Sequence, residues 1–439
     1  MEPSQTRAPV VGGVGGVGGP APGTLTVTAV RDSRSGTRLA WLDALRGFAA
    51  LCVVFDHTTY LVLQPARSFL YHWLDMGQYG VFVFFLISGY IIPASLERKG
   101  NVRAFWISRA FRLYPMYAVA IVLAFIGYLN GIGNIAGAQH HPLTAVASWL
   151  LMLQNLLSGP NIPNVVWTLA YEMVFYLLLA ALFTWRIHRP SGGYALAFAA
   201  AAVALGGVLP MSSLYHAARG PSGIRILDIT ADALILIGIG ITVSGRGSLS
   251  RVGAAIAALT GLVLVSVNQS YPYPWSGLVI LALMFTGTLV YRAEQGQVSK
   301  STAAAIAGAV LLLTITAGVW HATPGLLHGT RDLQQWRYQW VSSLVLAAIT
   351  FAFGLAVRHR KIPVALAWLG LVSYPVYLLH LLVLSAYQSL VPQRGQRIEV
   401  QILLAVGILA VILAVSAVAH YWVEIPMQRL SRRAAKKWG

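Results

Sequence analysis

The stretch LAWLDALRGFAALCVVFDHTTYLVL, residues 39–63, decides the class of the fold. It exceeds the roughly 20 apolar residues that cross a bilayer as a helix, yet it carries Asp43, Arg46, Asp56 and His57. A charged side chain at bilayer depth costs roughly 2.5–3.5 kcal/mol on insertion scales, so such residues face a bundle interior or a wet cavity and mark function. Arg46 and His57 are eleven positions apart, which returns them to within roughly 20° of one helix face and about 16 Å apart along the axis. One face of this helix therefore offers a guanidinium toward one membrane surface and an imidazole toward the other.

The rest of the chain agrees with a membrane reading. Of 439 residues, 57% are hydrophobic and only 10% charged, against about 25% charged in soluble domains. The formal charge of +18 would suit a nucleic-acid binder, but the basic residues sit in short loops between apolar segments, which is the pattern of membrane topology. A single cysteine, Cys52, excludes a disulfide framework and a Cys-rich zinc site, and in a membrane helix it reads as packing. Residues 1–36 contain VGGVGGVGGPAPG, a low-complexity run with too little apolar surface to fold, and without the apolar core of a signal peptide. The expected domains are this disordered cytoplasmic tail, a transmembrane domain over 37–430, and a basic cytoplasmic tail over 431–439.

Apolar segments recur at 40–64, 76–96, 115–133, 143–157, 165–185, 194–210, 225–243, 252–269, 275–291, 303–321, 338–357, 365–388 and 400–422. The fourth falls below the roughly 17–25 residues a span requires. If it does not cross, loops on the side of the N-terminal tail hold 23 Lys and Arg and the opposite loops hold 7; making it cross destroys that bias. The expected fold is therefore all-α: a polytopic bundle of about 12 spans, with both termini cytoplasmic in a cell (plasma or inner) membrane and a short re-entrant or surface helix near 143–157. The outer loops then bring His140, His141, Asn155, Asn161, Asn164, the YPYP turn at 271–274 and the loop 322–337, with His328, Arg331 and Asp332.

Several constellations could carry chemistry. The loop after the second span holds Arg98, Lys99, Arg103, Arg109 and Arg112, with Pro115 opening the next helix. Arg109 and Arg112 share a face on a helical turn and could clamp a phosphorylated ligand; the plain alternative is contact with anionic headgroups. Ser88 lies in GVFVFFLISGYII, residues 80–92, where small residues serve helix packing or line a cavity; no G-x-S-x-G elbow marks a serine nucleophile. Thr168, Glu172 and Phe175 share a helical face after Trp167, and the intramembrane carboxylate calls for a partner such as Arg46 or a histidine. Ser373, Tyr377 and His380 share a face of a helix kinked at Pro375, and Glu424 reads as a surface ion pair. His140 and His141 are adjacent, no metal-ligand spacing appears, and no metal is expected.

Taken together these segments resemble the acyltransferase family 3 integral membrane acyltransferases. The resemblance is carried by LDALRGFAALCVVFDH (42–57), in which an Arg is followed after ten residues by a His. It continues through GVFVFFLISGYII, SRAFRLYP (108–115), WTLAYEMVFY (167–176), SYPVYLLH (373–380) and the terminal VEIP (423–426). These occur in the family's order between residue 38 and about 430. The resemblance implies transfer of an acyl group, usually acetyl, from cytoplasmic acyl-CoA to a hydroxyl of a sugar, a cell-envelope glycan or a secondary metabolite. The acyl-CoA acts as co-substrate, with no permanently bound cofactor. It implies that Arg46 and His57 are the functional pair and that Arg109 and Arg112, with Arg46, hold the CoA. Trp167, Glu172, Tyr377 and His380 match motif positions and join Ser88 as candidates to line the site. The family core is usually counted as ten helices against the twelve counted here, the extra pair lying between Glu172 and Ser373.

The chemistry fits these residues. A thioester already has a good leaving group, so the catalyst needs a base for the acceptor hydroxyl and charge stabilisation for the oxyanion. His57, with Glu172 to orient it, is the expected general base. The alternative from another class is a twelve-span secondary transporter of a small polar or anionic solute, which predicts two similar six-span halves. Here polar membrane residues crowd the first five spans and the eleventh, and the Arg46–His57 pattern has no second copy.

Overall fold

A computed structural model describes residues 36–133, 142–157, 159–218, 220–270, 272–324, 332–391 and 397–438. The Gly-rich tail and His140, His141, Tyr271, His328 and Arg331 lie outside the described residues. Those described are mostly helical, with no strand among them. The long helices are α1 (Gly36–Leu61), α3 (Met76–Lys99), α4 (Val102–Leu129), α6 (Trp167–Thr184), α7 (Ser191–Leu205), α9 (Pro221–Val243), α10 (Gly247–Val267), α11 (Ser276–Glu294), α12 (Lys300–His321), α13 (Leu333–Ala356), α14 (Val364–Leu390) and α15 (Ile398–Ala419). Shorter pieces are α2 (Gln64–Trp73), α5 (Pro142–Leu150), α8 (Ser213–Ala217) and α16 (Ile425–Trp438). Each of the twelve apolar segments expected to span is one long helix. Ten helices among the described residues are long and apolar enough to cross a membrane. Of the other two, α1 has the length but carries Asp43, Arg46 and Asp56, and α7 has 15 residues. The chain is a multi-pass membrane protein.

The segment near 143–157 does not form a spanning helix. The nine residues of α5 rise only about 14 Å, and the chain then turns through Met152 at φ 56°. Residues 151–157 are buried, and their backbone bonds locally, Leu153 N–H to Ser148 O at 3.0 Å and Leu156 N–H to Leu153 O at 2.8 Å. Irregular backbone at membrane depth is tolerated where protein surrounds it.

Two boundaries differ from expectation. The basic loop after the second span is helix: α4 starts at Val102, capped by the Asn101 side chain on the N–H groups of Arg103 and Ala104 at 2.8 and 3.3 Å, so Pro115 sits inside it. Asn is among the strongest N-caps, and it recruits Arg109 and Arg112 onto a rigid element. At the other end, α15 passes through a π turn at His420–Glu424 into α16, which packs on α4. Glu424 is buried, not a surface partner: His420 Nδ1 lies 2.7 Å from its Oε2, and Gln428 Nε2 donates to Oε1 at 3.1 Å.

The core is built on α3, α6 and α11, whose apolar windows are 78–83% buried. Helix α1 packs between α3 and α14. Several crossings need glycine. A Cβ on Gly89 would overlap the Met284 carbonyl of α11, where Thr288 Oγ1 donates to Gly89 O at 2.8 Å. A Cβ on Gly370 of α14 would overlap the backbone of Asp43 in α1. Such close approach is how helices gain contact in a solvent as apolar as their own side chains. Arg292 ties the ends of α3, α7 and α11 together. Its guanidinium bonds Glu97 at 2.6 Å, Ser191 Oγ at 2.8 Å and His188 O at 2.9 Å.

Candidate functional site

Because α1 lies between α3 and α14, its polar face opens into two cavities. The Arg46 cavity is narrow, about 80 Å³, and its polar lining is Arg46, Ser88, Arg109, Arg112, Thr168, Glu172, Ser373, Tyr374 and Tyr377. The His57 cavity is wider, about 310 Å³, and contains Asp56, His57, Arg67, Asp75, Asn164, Trp167 and Tyr377 among its lining residues. Tyr377 and Val81 line both, so this pair forms the wall where the cavities meet. The Tyr377 hydroxyl is held by Thr168 Oγ1 and Val165 O, each at 3.0 Å, and its ring meets Phe84 edge-on at 5.5 Å.

The Arg46 cavity is cationic, with three arginines facing one glutamate. Arg109 is 5% exposed, and its Nε has no hydrogen-bond partner. Its guanidinium lies 5.3 and 5.5 Å from the ring centroids of Phe105 and Tyr176, the cation–π range. Tyr176 in turn donates to Glu172. Of the partners expected for Glu172, Arg46 shares its cavity and interacts with its charge, while among the described residues its hydrogen bond comes from a tyrosine and not a histidine. Glu172 lines the Arg46 cavity and not the one that contains His57, so it does not orient that imidazole.

What stands beside His57 is His380. Their ring centroids are 5.3 Å apart. His380 is fully buried and lines neither cavity, so it backs the site instead of facing substrate. Its Nδ1 is 3.0 Å from Val376 O. A carbonyl can only accept, so Nδ1 carries the proton and Nε2 is left as a lone pair, buried and without a hydrogen-bond partner. Ser373 faces the Arg46 cavity and donates to Gly370 O at 2.8 Å. Of the outer-loop residues, Asn164 and Tyr273 line the His57 cavity, whereas Asn155 is buried in a network with Tyr171 and Ser270. Sequence reasoning missed Arg67, Asp75, Tyr71 and Trp340, which α2, the α2–α3 turn and α13 bring to the His57 cavity. Arg67, Tyr71 and Asp75 stand four apart just after the first span, a spacing that places them on one face, whereas nothing local connects Trp340 to them.

Comparison with known proteins rests on the whole of this region. The family model described as "Acyltransferase domain" matches residues 39–421, from the first residue of the opening stretch nearly to the end of α15 and its π turn. The chain belongs to this family of acyltransferases. Acyltransferase MdmB of Streptomyces mycarofaciens is 33% identical over 150 residues, which cover 32% of this chain and 38% of that protein. Nodulation protein 10 of Rhizobium leguminosarum bv. viciae is 30% identical over 176 residues, 36% of this chain and 48% of its own. O-acetyltransferase OatA of Staphylococcus aureus is 29% identical over 166 residues, 34% of this chain and 26% of its own. The chain thus spans less than half the length of the curated relatives it matches. No solved structure matches. Both cavities of this family member lie within the matched region, as do Arg46, His57, Arg109, Arg112, Glu172, Tyr377 and His380.

Proposed function

We propose that this family member is an integral membrane O-acyltransferase that moves an acyl group, acetyl in the first instance, from acyl-CoA to a hydroxyl of a sugar, cell-envelope glycan or secondary metabolite. The observation that carries this reading is the pair of cavities opened by one helix and meeting at Tyr377. Reaction between a cytoplasmic thioester and an acceptor on the opposite side requires such a meeting point. The Arg46 cavity suits the donor. Arg109 and Arg112 attract the CoA phosphates, and the narrow slot beside Arg46 admits a pantetheine thread rather than a nucleotide. The bias of Lys and Arg toward one set of loops directs this cavity to the cytoplasm.

His57 is the general base of the reaction. It takes the acceptor's hydroxyl proton as the oxygen attacks the thioester carbonyl, with the positive charge of the Arg46 guanidinium on the side of the developing oxyanion. The C–S bond then breaks, and the proton on His57 passes to the departing thiolate, so the products are the O-acyl ester and free CoA. The name of OatA as an O-acetyltransferase supports oxygen as the nucleophile. The test is CoA release from radiolabelled acetyl-CoA by membranes given an envelope or metabolite extract. Membranes with the wild-type chain should release CoA and acylate the extract, and His57→Ala, present in the membrane at the same level, should do neither. Equal release by His57→Ala, or solute accumulation with no CoA release, overturns the reading.

A further inference from the structure

A third cavity lies at the end of the bundle away from His57, and neither half of the proposed reaction uses it. Asp75 and Trp167, at the starts of α3 and α6, line the His57 cavity. The third cavity forms beyond the other ends of those helices, where α3 passes into α4, where α6 stops and where α9 turns into α10. Its volume is about 590 Å³, within the range of ligand pockets, and it shares no lining residue with the Arg46 cavity. Arg103 of α4, Arg186 just after α6 and Arg251 of α10 line it, and no Asp or Glu is among its described lining residues. Among the described residues, no side-chain hydrogen bond or ion pair occupies any of these three guanidinium groups. Arg292 and Arg358, by contrast, each hold a glutamate, Glu97 at 2.6 Å and Glu294 at 2.7 Å.

The backbone here also suits an anion. Helix α10 begins at Gly247 with no side-chain cap from Arg246. The electropositive end of a 21-residue helix therefore stands at the wall formed by Gly247, Ser250 and Arg251, where negative charge is favoured. Arg186 has φ 61°. It closes α6 in a Schellman turn, its own N–H on Phe183 O at 3.0 Å and Ile187 N–H on Leu182 O at 2.9 Å. Glycine is the usual residue at that position, because a Cβ is crowded in left-handed backbone. The turn alone would favour glycine; the arginine adds a guanidinium to the cavity.

We infer that this cavity binds a phosphate ester through Arg103, Arg186 and Arg251. Guanidinium groups meet phosphate oxygens with parallel N–H donors, and these three have no carboxylate competing for them in the described lining. The chemistry has two sources: a soluble ester, such as the nucleotide half of a CoA thioester, and the headgroup of an anionic lipid. Such binding requires nothing of the transferase reading. Substitutions can remove the charge and spare the fold. Arg186→Gly supplies the residue that the turn favours, and Arg251→Gln keeps the Arg251 carbonyl that accepts from Trp185 Nε1 at 3.0 Å.

The full chain in phosphatidylcholine nanodiscs is titrated with adenosine 3′,5′-bisphosphate, with adenosine as the uncharged control. Its melting temperature is also compared with and without phosphatidylglycerol in the bilayer. The bisphosphate should bind saturably and adenosine should not, and each variant should weaken the bisphosphate about tenfold. Arg186→Gly should melt no lower than the parent when no ligand is added, so its loss of binding is not a loss of fold. If the bisphosphate does not bind, but phosphatidylglycerol raises the melting temperature of the parent and not of the variants, the site stands and its phosphate is a lipid's. The inference falls if neither response depends on Arg186 and Arg251: bisphosphate binding of equal strength in parent and variants would place the anion elsewhere, on Arg109 and Arg112 for example.

Discussion

His57 stands out on its own helix, because an imidazole eleven residues from an intramembrane arginine has few structural uses at bilayer depth. Of the two residues expected in its company, Glu172 and His380, the fold places only the histidine beside it. Glu172 was the natural choice by charge, yet it sits in the other cavity bonded to Tyr176, while His380, more than three hundred positions along the chain, stands 5.3 Å away. The bond from His380 Nδ1 to Val376 O leaves the other ring nitrogen able to accept only. If His57 is the general base proposed above, this lone pair, which accepts no hydrogen bond in the structure, favours by its charge the His57 tautomer with its N–H on that side and its own lone pair toward substrate. His380→Ala should therefore lower kcat by about tenfold or more with little change in KM, and the pH–rate profile should move with it. His380→Asn, which can still accept, should recover part of the loss. Wild-type kcat in His380→Ala, or a loss that appears only in KM, would show that His380 is packing.

At the scale of elements, hydropathy located the helices because burial in lipid demands long apolar runs, and each of the twelve expected spans became one helix. It could not see that the basic loop before Pro115 is helical, because Asn101 and not hydrophobicity starts α4. It also misjudged Glu424, whose partner His420 lies one turn back on the same helix. Ser88 and Gly89 were ambiguous between packing and site, and the fold divides them: Ser88 faces the Arg46 cavity and the adjacent Gly89 faces α11. The crossing of α3 and α11 fixes the wall of both cavities, since Val81 and Ser88 sit on α3. Gly89→Ala places a methyl against the Met284 carbonyl, and overpacking of this kind costs about 1–3 kcal/mol. A lowered melting temperature in detergent is expected, together with reduced CoA release. Gly407→Ala, on α15 with nothing within 4 Å of its Cβ, serves as the control and should not lower the melting temperature. Equal melting of Gly89→Ala and the parent would remove the close crossing as a determinant of the site.

For the molecule as a whole, the sequence fixes a direction only through its loop charges, and the fold gives that direction a chemical meaning. The helix that carries Arg46 and His57 places the arginine-lined cavity toward the loops richest in Lys and Arg, and the His57 cavity toward the loops that are poor in them. The full lining of the His57 cavity was invisible beforehand because Tyr273 and Trp340 join Arg67 and Asp75 there only in three dimensions. If positive residues remain on the cytoplasmic side, the donor meets the cationic cavity from the compartment that makes acyl-CoA, and acylation is vectorial. The chain offers a direct test because its one cysteine, Cys52, is 3% exposed and should be silent to an impermeant maleimide. Gln64→Cys, at the start of α2 on the His57 side, should label in intact cells. Arg189→Cys, in the exposed connection between α6 and α7 on the other side, should label only after the membrane is opened. Labelling in the opposite order would invert the molecule, put the arginine cavity outside, and leave acyl-CoA with no route to Arg46.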